Sequence, residues 1–239
     1  NNPLTSKPGE RKRVGYSSSW TVDGLRITQT VELWPSKSKK PGEKRRSDNV
    51  LITYLIENKG NQDVNIGVRT YIDTYIIDND GCMFASPVTH PGKVLDGITL
   101  KDKGMPPYIQ LLQRPNIANP GYMAYLTFNI GGKYEKADKL VLTRHGFGFG
   151  NWDMPAVASM GDSGLGFYWP TKAIKPGGKR ELAYAYGEGI AVSAENDGLY
   201  QVSLGGSFEP GRIATISALV ASPAVGQTLA LELPKGLEL

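Results

Sequence analysis

Short runs of alternating apolar and polar residues, separated by glycine- and proline-rich turns, most constrain the fold of this chain. The 239 residues include 29 glycines and 16 prolines, which follow no repeating period. Residues 25–34, "LRITQTVELW", and 49–58, "NVLITYLIEN", read as two strands joined into a hairpin by a long basic connection. Because helical periodicity is nearly absent, the sequence predicts an all-β antiparallel sandwich with very little helix.

The strand pattern recurs along the rest of the chain. Further strands are predicted at residues 64–78, 121–130, 139–145, 164–169, 179–187, 199–206, 212–221 and 228–234. We expect 164–169 and 179–187 to form a hairpin in which Trp169 pairs with the aromatic face of the second strand. Only residues 106–114, "PPYIQLLQR", suit a helix, which would last one or two turns before Pro115.

The strand predicted at 64–78 has two different faces. One face is aliphatic, and the other is aromatic and polar, with Arg69, Tyr71 and Asp73 among its residues. Asp73 and Asp78 are about 16 Å apart along an extended strand. These two carboxylates therefore cannot share a cation unless a bulge intervenes.

Three segments differ in composition. Residues 1–16 form a basic N-terminal tail, and residues 17–205 form the main domain. Residues 206–239 have few aromatic side chains. Two or three strands cannot make a sandwich of their own, so this last segment is predicted either to close the main sandwich or to begin an immunoglobulin-like module.

The positive charge is concentrated in two places. The net charge is +4, to which residues 1–16 contribute +3 and residues 37–48 contribute +4, so that the remainder carries −3. Neither basic segment has interleaved aromatics or a helical period, which argues against nucleic acid as a partner. Solvated segments are the first interpretation, and binding to an anionic envelope polymer or membrane surface is the alternative.

Cysteine and histidine usage argues against several kinds of site. The single Cys82 rules out a disulfide within the chain and a thiolate zinc site, and we expect it to be a small buried side chain. His90 and His145 lack the spacing of a histidine metal motif. No run approaches the roughly 18 apolar residues of a membrane span. The start at Asn1, without a signal-peptide pattern, suits a processed secreted protein as well as a cytosolic one.

Residues 73–84, "DTYIIDNDGCMF", contain the most acidic turn. An EF-hand register fails, because Ile76 and Pro87 would occupy positions that require carboxylates. Asn-Asp-Gly favours a tight reversal of the chain. A turn is therefore predicted without a cofactor, and a calcium site formed by Asp78, Asp80 and backbone carbonyls is the alternative.

Residues 144–155, "RHGFGFGNWDMP", form a glycine-rich loop without the spacing of a dinucleotide-binding loop. Aromatic rings can stack on the apolar faces of sugars while amides and carboxylates bind hydroxyls. The loop therefore offers a candidate sugar platform, formed by Phe147, Phe149, Asn151, Trp152 and Asp153. The alternative is that these aromatic residues fold inward as a lid over one end of the core.

If the chain is an enzyme, the candidate acids and bases are Asp153, Asp162, Glu188 and His145. Glycosidases require two carboxyl groups about 5 to 9 Å apart, and a mutarotase requires a paired acid and base. No nucleophile elbow or phosphate-binding loop supports other chemistry.

Four motifs carry a resemblance to a known group of proteins. They are D-T-x-I-x-x-N-D-G at 73–81, D-S-x4-Y-W at 162–169, P-G-x-x-R-E at 176–181 and Y-G at 186–187. With these motifs, residues 20 to 239 resemble an uncharacterised family of bacterial envelope or secreted proteins. The resemblance implies an extracytoplasmic β-sandwich, of the supersandwich type of galactose-mutarotase-like proteins. It implies no catalytic residue.

These observations predict a non-catalytic, extracytoplasmic bacterial domain that binds a glycan or cell-envelope polymer, or that serves adhesion or surface assembly. The alternatives are a carbohydrate-active enzyme of mutarotase-like or glycosidase type and a purely structural spacer. An enzyme predicts a cleft with paired carboxyls, and a binding domain predicts exposed aromatic rings. A spacer predicts neither feature, and no oligomeric state is implied.

Overall fold

The computed structural model describes residues 1–6, 13–35, 47–117, 119–147, 150–188, 190–193, 199–206, 214–220 and 225–233. Within these ranges the chain forms sixteen strands and one short 3-10 turn at Asp102–Gly104. The strands are β1 Asn2–Pro3, β2 Val14–Val22, β3 Leu25–Pro35, β4 Ser47–Asn58, β5 Val64–Thr74, β6 Met83–Ser86, β7 His90–Leu95, β8 Thr99–Lys101, β9 Tyr108–Leu112, β10 Met123–Thr127, β11 Lys139–Arg144, β12 Ser163–Ile174, β13 Lys179–Gly187, β14 Ile190–Ser193, β15 Leu199–Gly206 and β16 Ala214–Val220. The predicted all-β fold with very little helix is confirmed.

The strands form three sheets in which every strand pair is antiparallel. The largest sheet has nine strands in the order β1-β2-β3-β4-β13-β10-β9-β6-β7. A second sheet has the order β5-β12-β11-β8, and a third has the order β14-β15-β16. In the described part of the chain, no helix is long and apolar enough to cross a membrane.

The nine-stranded and four-stranded sheets pack face to face around one main core. Leu126 and Leu182 of the larger sheet share this core with Leu140 and Leu165 of the smaller sheet. At its centre the ring of Phe167 lies 5.0 to 5.2 Å from three other rings, those of Phe128, Trp169 and Tyr184. Aromatic rings prefer such tilted and edge-to-face arrangements. The alternation along each strand thus places its large apolar residues between the two sheets.

Most strands lie where the alternation predicts them. The predicted hairpin of residues 25–34 and 49–58 is present as β3 and β4, and the prediction at 179–187 coincides with β13. β5 ends at Thr74, before the predicted end at residue 78. The described residues from 228 to 233 form no strand, contrary to the prediction.

The predicted helix at 106–114 is wrong, because Tyr108–Leu112 is strand β9. β9 pairs with β10 on one side and with β6 on the other. The prolines at positions 106, 107 and 115 leave too few residues for a stable helix. Two neighbouring strands, in contrast, satisfy the backbone hydrogen bonds of β9 and bury Ile109 and Leu111.

The predicted hairpin of residues 164–169 and 179–187 is also wrong. β12 belongs to the four-stranded sheet and β13 to the nine-stranded sheet, so the connection passes from one layer to the other. Gly177 takes a φ of +73° in this connection, and its amide donates to the carbonyl of Asn58 at 2.9 Å. The expected pairing of Trp169 within one hairpin is therefore replaced by a contact across the core, between Phe167 of β12 and Tyr184 of β13.

The larger sheet extends beyond the smaller one and exposes part of its inner face. Trp20 of β2 pairs with Ile27 of β3, and Val22 pairs with Leu25, so these side chains share the core-facing side. Leu25 is buried there, whereas the apolar side chains along β2 are exposed. We call this set the β2 stripe, consisting of Val14, Tyr16, Trp20 and Val22.

Predictions on the basic tail and the basic loop fall largely outside the described residues, since positions 7–12 and 36–46 are not among them. The same holds for much of the segment 206–239. The division into a tail, a main domain and a closing segment or second module stays a prediction.

Candidate functional site

The outer face of the four-stranded sheet carries small and polar residues. Because Leu165, Phe167 and Trp169 of β12 point into the core, the residues between them point outward. The strand register places the outward residues of β5 opposite them. This outer face includes Gly67, Arg69, Tyr71 and Asp73 of β5 and Gly164, Gly166 and Tyr168 of β12.

A loop that follows β11 covers this face, and we call its described residues, 145–147 and 150–162, the flap. Glycines beneath the flap allow its close approach. A Cβ atom at Gly166 would lie 2.3 Å from Met154 Cε, and one at Gly67 would lie 3.1 Å from Trp152 Cζ2. A Cβ atom at Gly164 would lie 2.6 Å from the hydroxyl oxygen of Tyr71. Small residues in these strands therefore make room for the flap and for Tyr71.

Met154 is the flap residue that anchors it to the sheet. It is only 5% exposed and packs with Val141 and Tyr168. The Met154 amide donates to the Tyr168 hydroxyl at 3.1 Å, and that hydroxyl donates to the Trp152 carbonyl at 2.9 Å. Thr143 holds the next part of the flap, since its hydroxyl donates to the Pro155 carbonyl at 2.8 Å.

Trp152 lies on the outside of the anchored flap. Its side chain is 53% exposed, and its ring contacts Tyr168 edge-on at a centroid distance of 5.8 Å. The Arg69 guanidinium lies 6.0 Å from the ring centroid and also donates to the Trp152 carbonyl at 3.1 Å. The indole is thus held in a defined place while a large part of its surface faces solvent.

The other predicted platform residues share the flap with Trp152. Phe147 is 45% exposed, Asn151 is exposed, and Asp153 forms a 2.6 Å ion pair with Lys139 of β11. Phe149 lies outside the described residues. The alternative interpretation placed the aromatic rings of this loop inward, over the core. In the structure Phe147 and Trp152 are exposed, and Met154 is the buried side chain instead.

A polar cluster forms where the flap joins the sheet. His145 Nδ1 lies 3.2 Å from Asp73 Oδ1 and 2.9 Å from the Tyr71 hydroxyl. Asp162 completes the cluster, because one nitrogen or oxygen of each of Asp73, His145 and Asp162 lies within 4.8 Å of the others. The His145 amide donates to the Asp162 carbonyl at 3.0 Å, so the two ends of the flap meet here.

Tyr71 stays a neutral hydrogen-bonding group in this cluster. Burial raises the pKa of Tyr71, and the negative charges of Asp73 and Asp162 raise it further. The hydroxyl also accepts the Gly146 amide at 3.3 Å. The neutral Tyr71 hydroxyl thus lies between the backbone at the start of the flap and the imidazole of His145.

The candidate acids and bases fall into separate groups. His145 and Asp162 lie together, whereas Asp153 pairs with Lys139 elsewhere on the flap. Glu188 is exposed and follows β13 in the opposite sheet. Asp73 was not among the candidates, although its place beside Tyr71 on the polar face of β5 was a usable signal.

The chain does reverse tightly within residues 73–84, but the turn lies just before the Asn-Asp-Gly segment, at Ile77 and Asp78, and its positive φ of +58° falls on Ile77. Ile76 and Asn79 exchange backbone hydrogen bonds of 3.0 and 2.9 Å, and the Asn79 side chain accepts the Gly81 amide at 2.9 Å. Asp78 accepts a 2.8 Å hydrogen bond from Gln113. Across the described ranges, Asp73, His145 and Asp162 make the one group of three candidate metal ligands, and it does not include the aspartates of this turn. Calcium binding by Asp78 and Asp80 stays a prediction.

Comparisons with known proteins give distant structural likenesses. No protein-family model matches the chain, and no curated protein matches it. The Slr1438 protein from Synechocystis sp. PCC 6803 has 12% identity and a TM-score of 0.43, with 77% of this chain and 64% of that chain covered. A putative aldose 1-epimerase from Klebsiella pneumoniae subsp. pneumoniae MGH 78578 has 11% identity and a TM-score of 0.35, with coverages of 73% and 50%.

The chain therefore spans less than two thirds of the length of each of these structures. Likenesses this distant assign neither a substrate nor an activity to the chain. The fold of the chain itself is that of an all-β sandwich protein in which a flap covers a polar sheet face. The resemblance to a bacterial envelope family, drawn from the four motifs, stays a prediction.

Proposed function

We propose that this chain is a non-catalytic extracytoplasmic bacterial domain that binds a glycan or glycan-like envelope polymer on the outer surface of the flap. The observation that carries the proposal is the half-exposed Trp152 ring, held from below by Tyr168 and Arg69. An aromatic ring that is fixed before binding stacks on a sugar with little loss of conformational entropy.

Polar groups around the ring support the same proposal. Asn151 and Asp153 flank Trp152 in the sequence, and both are exposed. Amide and carboxylate groups bind hydroxyls, while the adjoining ring binds the apolar face of the sugar. Arg69 donates to the Trp152 carbonyl and Lys139 pairs with Asp153, so two cationic side chains lie beside the flap, which favours glycans that carry carboxylate or phosphate groups.

The extracytoplasmic location in this proposal rests on the motif resemblance. Fractionation of the native bacterium with an antibody against the chain tests it directly. Recovery of the protein in the periplasm, on the cell surface or in the medium is expected. Recovery in the cytoplasm alone would contradict this part of the proposal and leave the ligand-binding part to its own test.

The binding test compares two tryptophans of similar exposure on different surfaces. Trp152 is 53% exposed on the flap, and Trp20 is 45% exposed on the β2 stripe. The purified chain is screened against arrayed glycans and isolated wall polymers, and hits are measured by calorimetry. We expect Trp152→Ala to weaken binding about tenfold or more, as for a central aromatic contact, and Trp20→Ala to leave it unchanged.

Thermal unfolding of both variants separates lost contacts from lost folding. Equal stability with selective loss in Trp152→Ala supports the flap surface as the binding site. Selective loss in Trp20→Ala would instead place the ligand on the β2 stripe. An array without any binding would reject a glycan ligand and favour the structural spacer.

A carbohydrate-active enzyme of mutarotase type is the second candidate. The observation in its favour is the contact of His145 with Asp73 and Tyr71, which joins an imidazole to a carboxylate and a hydroxyl. Exchange between sugar anomers, followed by NMR, tests this candidate. If the chain accelerates this exchange and His145→Gln abolishes the acceleration, the enzyme candidate is established. Exchange at the uncatalysed rate would reject the enzyme candidate for the sugars used.

A further inference from the structure

We propose that Asp73, His145 and Asp162 together bind one divalent transition-metal ion at the base of the flap. This inference is independent of the glycan proposal. It also differs from the calcium alternative at Asp78 and Asp80, because it concerns other residues and another class of metal.

The donor atoms favour a transition metal over calcium or magnesium. The cluster offers one imidazole nitrogen and two carboxylate groups. Calcium and magnesium bind oxygen ligands, whereas an imidazole is a common ligand of zinc, iron, nickel and copper. Zinc sites with three protein ligands of the histidine and carboxylate types keep a further position for water or substrate. The mixed set of nitrogen and oxygen donors thus points to zinc or a related ion.

The spacing of the donor atoms suits a single ion. Ligand atoms at about 2.1 Å from a tetrahedral zinc ion lie roughly 3.4 Å from one another. His145 Nδ1 and Asp73 Oδ1 are 3.2 Å apart, and the ligand atoms of all three residues lie within 4.8 Å. Small side-chain rotations are therefore enough to place all three around one metal ion.

The backbone fixes the three residues from three different places in the fold. Asp73 lies near the end of β5 and pairs with Gly164 of β12. His145 begins the flap and Asp162 ends it, and the hydrogen bond from the His145 amide to the Asp162 carbonyl holds these ends together. The site is thus built by chain segments far apart in sequence, which differs from acidic residues that are close because they are sequence neighbours.

The cluster is also open enough to admit an ion. The side chain of Asp73 is 58% exposed and that of His145 is 28% exposed. An ion bound there would join both ends of the flap to β5, and its free positions would face solvent. Metal binding is therefore expected to stabilise the fold and to protect the flap, because the ion binds the native arrangement and not the unfolded chain.

Calorimetry on the full chain, after removal of metals by chelation, tests the proposal with Zn²⁺, Co²⁺, Mn²⁺ and Ca²⁺ in turn. We expect one equivalent of Zn²⁺ or Co²⁺ to bind and to raise the unfolding temperature, with much weaker binding of Ca²⁺. Asp162→Asn and His145→Gln are expected to weaken Zn²⁺ binding at least tenfold. His90→Gln is the matched control, since it removes the other histidine of the chain, and should bind Zn²⁺ as the wild type does.

The proposal would be overturned if His145→Gln bound Zn²⁺ as tightly as the wild type. It would also be overturned if none of the transition metals tried showed saturable binding. Should the variants fail to fold, NMR of the wild-type chain decides, because only two imidazoles are present. Paramagnetic Co²⁺ is expected to shift or broaden the His145 signals selectively. Unchanged signals, or a response at His90 alone, would reject the site.

Discussion

Arg180 of β13 and Glu135 form a bidentate ion pair between the two main sheets. Arg180 Nε and Nη2 donate to the two carboxylate oxygens of Glu135 at 2.9 and 3.0 Å, and Arg180 is only 4% exposed. Arg180 Nη1 also donates to the carbonyl of Ile66 in β5. Burial opposes ionisation of Glu135, but hydrogen bonds from Arg180 and Lys172 outweigh it and lower the pKa of Glu135.

The first prediction concerns the loss of this ion pair. Glu135→Gln leaves the buried Arg180 charge without its carboxylate, so we expect the free energy of unfolding to fall by about 3 kcal/mol. Denaturant titration measures the change. Glu57→Gln is the control, since Glu57 pairs with Lys59 at the surface, where ion pairs contribute little to stability. Equal effects of both variants would contradict a special role for the buried pair.

The ion pair of Arg180 and Glu135 also predicts how the stability of the fold changes with pH. The folded-state pKa of Glu135 lies below its ordinary value of 4.5, so ionised Glu135 stabilises the fold above about pH 4.5. That contribution is lost as the pH falls through the lowered pKa. The stability difference between the wild type and Glu135→Gln should therefore narrow as the pH falls below about 4.5. A difference that stays constant or widens would show that Glu135 is not stabilised as a carboxylate.

The second prediction concerns Gly81 of the Asn-Asp-Gly motif. A Cβ atom at this position would lie 2.6 Å from the backbone Cα and carbonyl carbon of Gly161, at the end of the flap. Backbone atoms cannot move aside easily, so Gly81→Ala is expected to destabilise the fold by about 1–3 kcal/mol.

Gly104→Ala is the matched control for Gly81→Ala. A Cβ atom at Gly104 meets no heavy atom within 4 Å, and neither glycine has a positive φ. The control should be neutral or slightly stabilising, because alanine restricts the unfolded chain. Thermal unfolding of the two variants measures the contrast. Similar midpoints would show that the backbone segments around Gly81 and Gly161 can move apart without loss of stability.

Local sequence pattern predicts strands better than it predicts their partners. β3, β4 and β13 were placed within a few residues, because their alternation records which face is buried. β9 was missed because Leu111 and Leu112 are both buried, which interrupts the alternation. The separation of β12 and β13 into different sheets depends on the remaining strands, which no short segment encodes.

The candidate site was likewise predictable from the sequence only in part. Phe147, Asn151, Trp152 and Asp153 could be proposed together because they are neighbours in the sequence. Asp73 reaches His145 because both β5 and β11 pair with β12, so the sequence gives no spacing that joins these two residues. Alternation did place Asp73 and Tyr71 on one face of their strand, which is as far as a local pattern extends.

The third prediction concerns the reactivity of Cys82. Its side chain is fully buried, as expected from the sequence, and its Sγ lies 3.4 Å from Ser163 Oγ. Burial raises the pKa of the Cys82 thiol, so the reactive thiolate is scarce at neutral pH. Ellman's reagent should label the native chain slowly and the denatured chain at once. Rapid native labelling would contradict the buried position.

The fourth prediction tests how Tyr168 fixes the flap. Tyr168→Phe removes the acceptor of the Met154 amide and the donor to the Trp152 carbonyl, while its ring still packs against the flap. We expect a loss of about 1–2 kcal/mol in stability, because the buried Met154 amide is left without its partner. Hydrogen exchange should accelerate at Met154 and its neighbours, because opening of the flap costs less free energy.

Tyr125→Phe separates this local effect from general loss of stability. Tyr125 is buried in the nine-stranded sheet, where its hydroxyl accepts a 3.3 Å hydrogen bond from Gln110. This variant should leave exchange in the flap unchanged, and glycan affinity should fall only with Tyr168→Phe because only that change loosens Trp152. Unchanged protection of Met154 in Tyr168→Phe would mean that apolar packing alone holds the flap. In that case the fixed position of Trp152 would depend on Arg69 and Met154, and not on the Tyr168 hydroxyl.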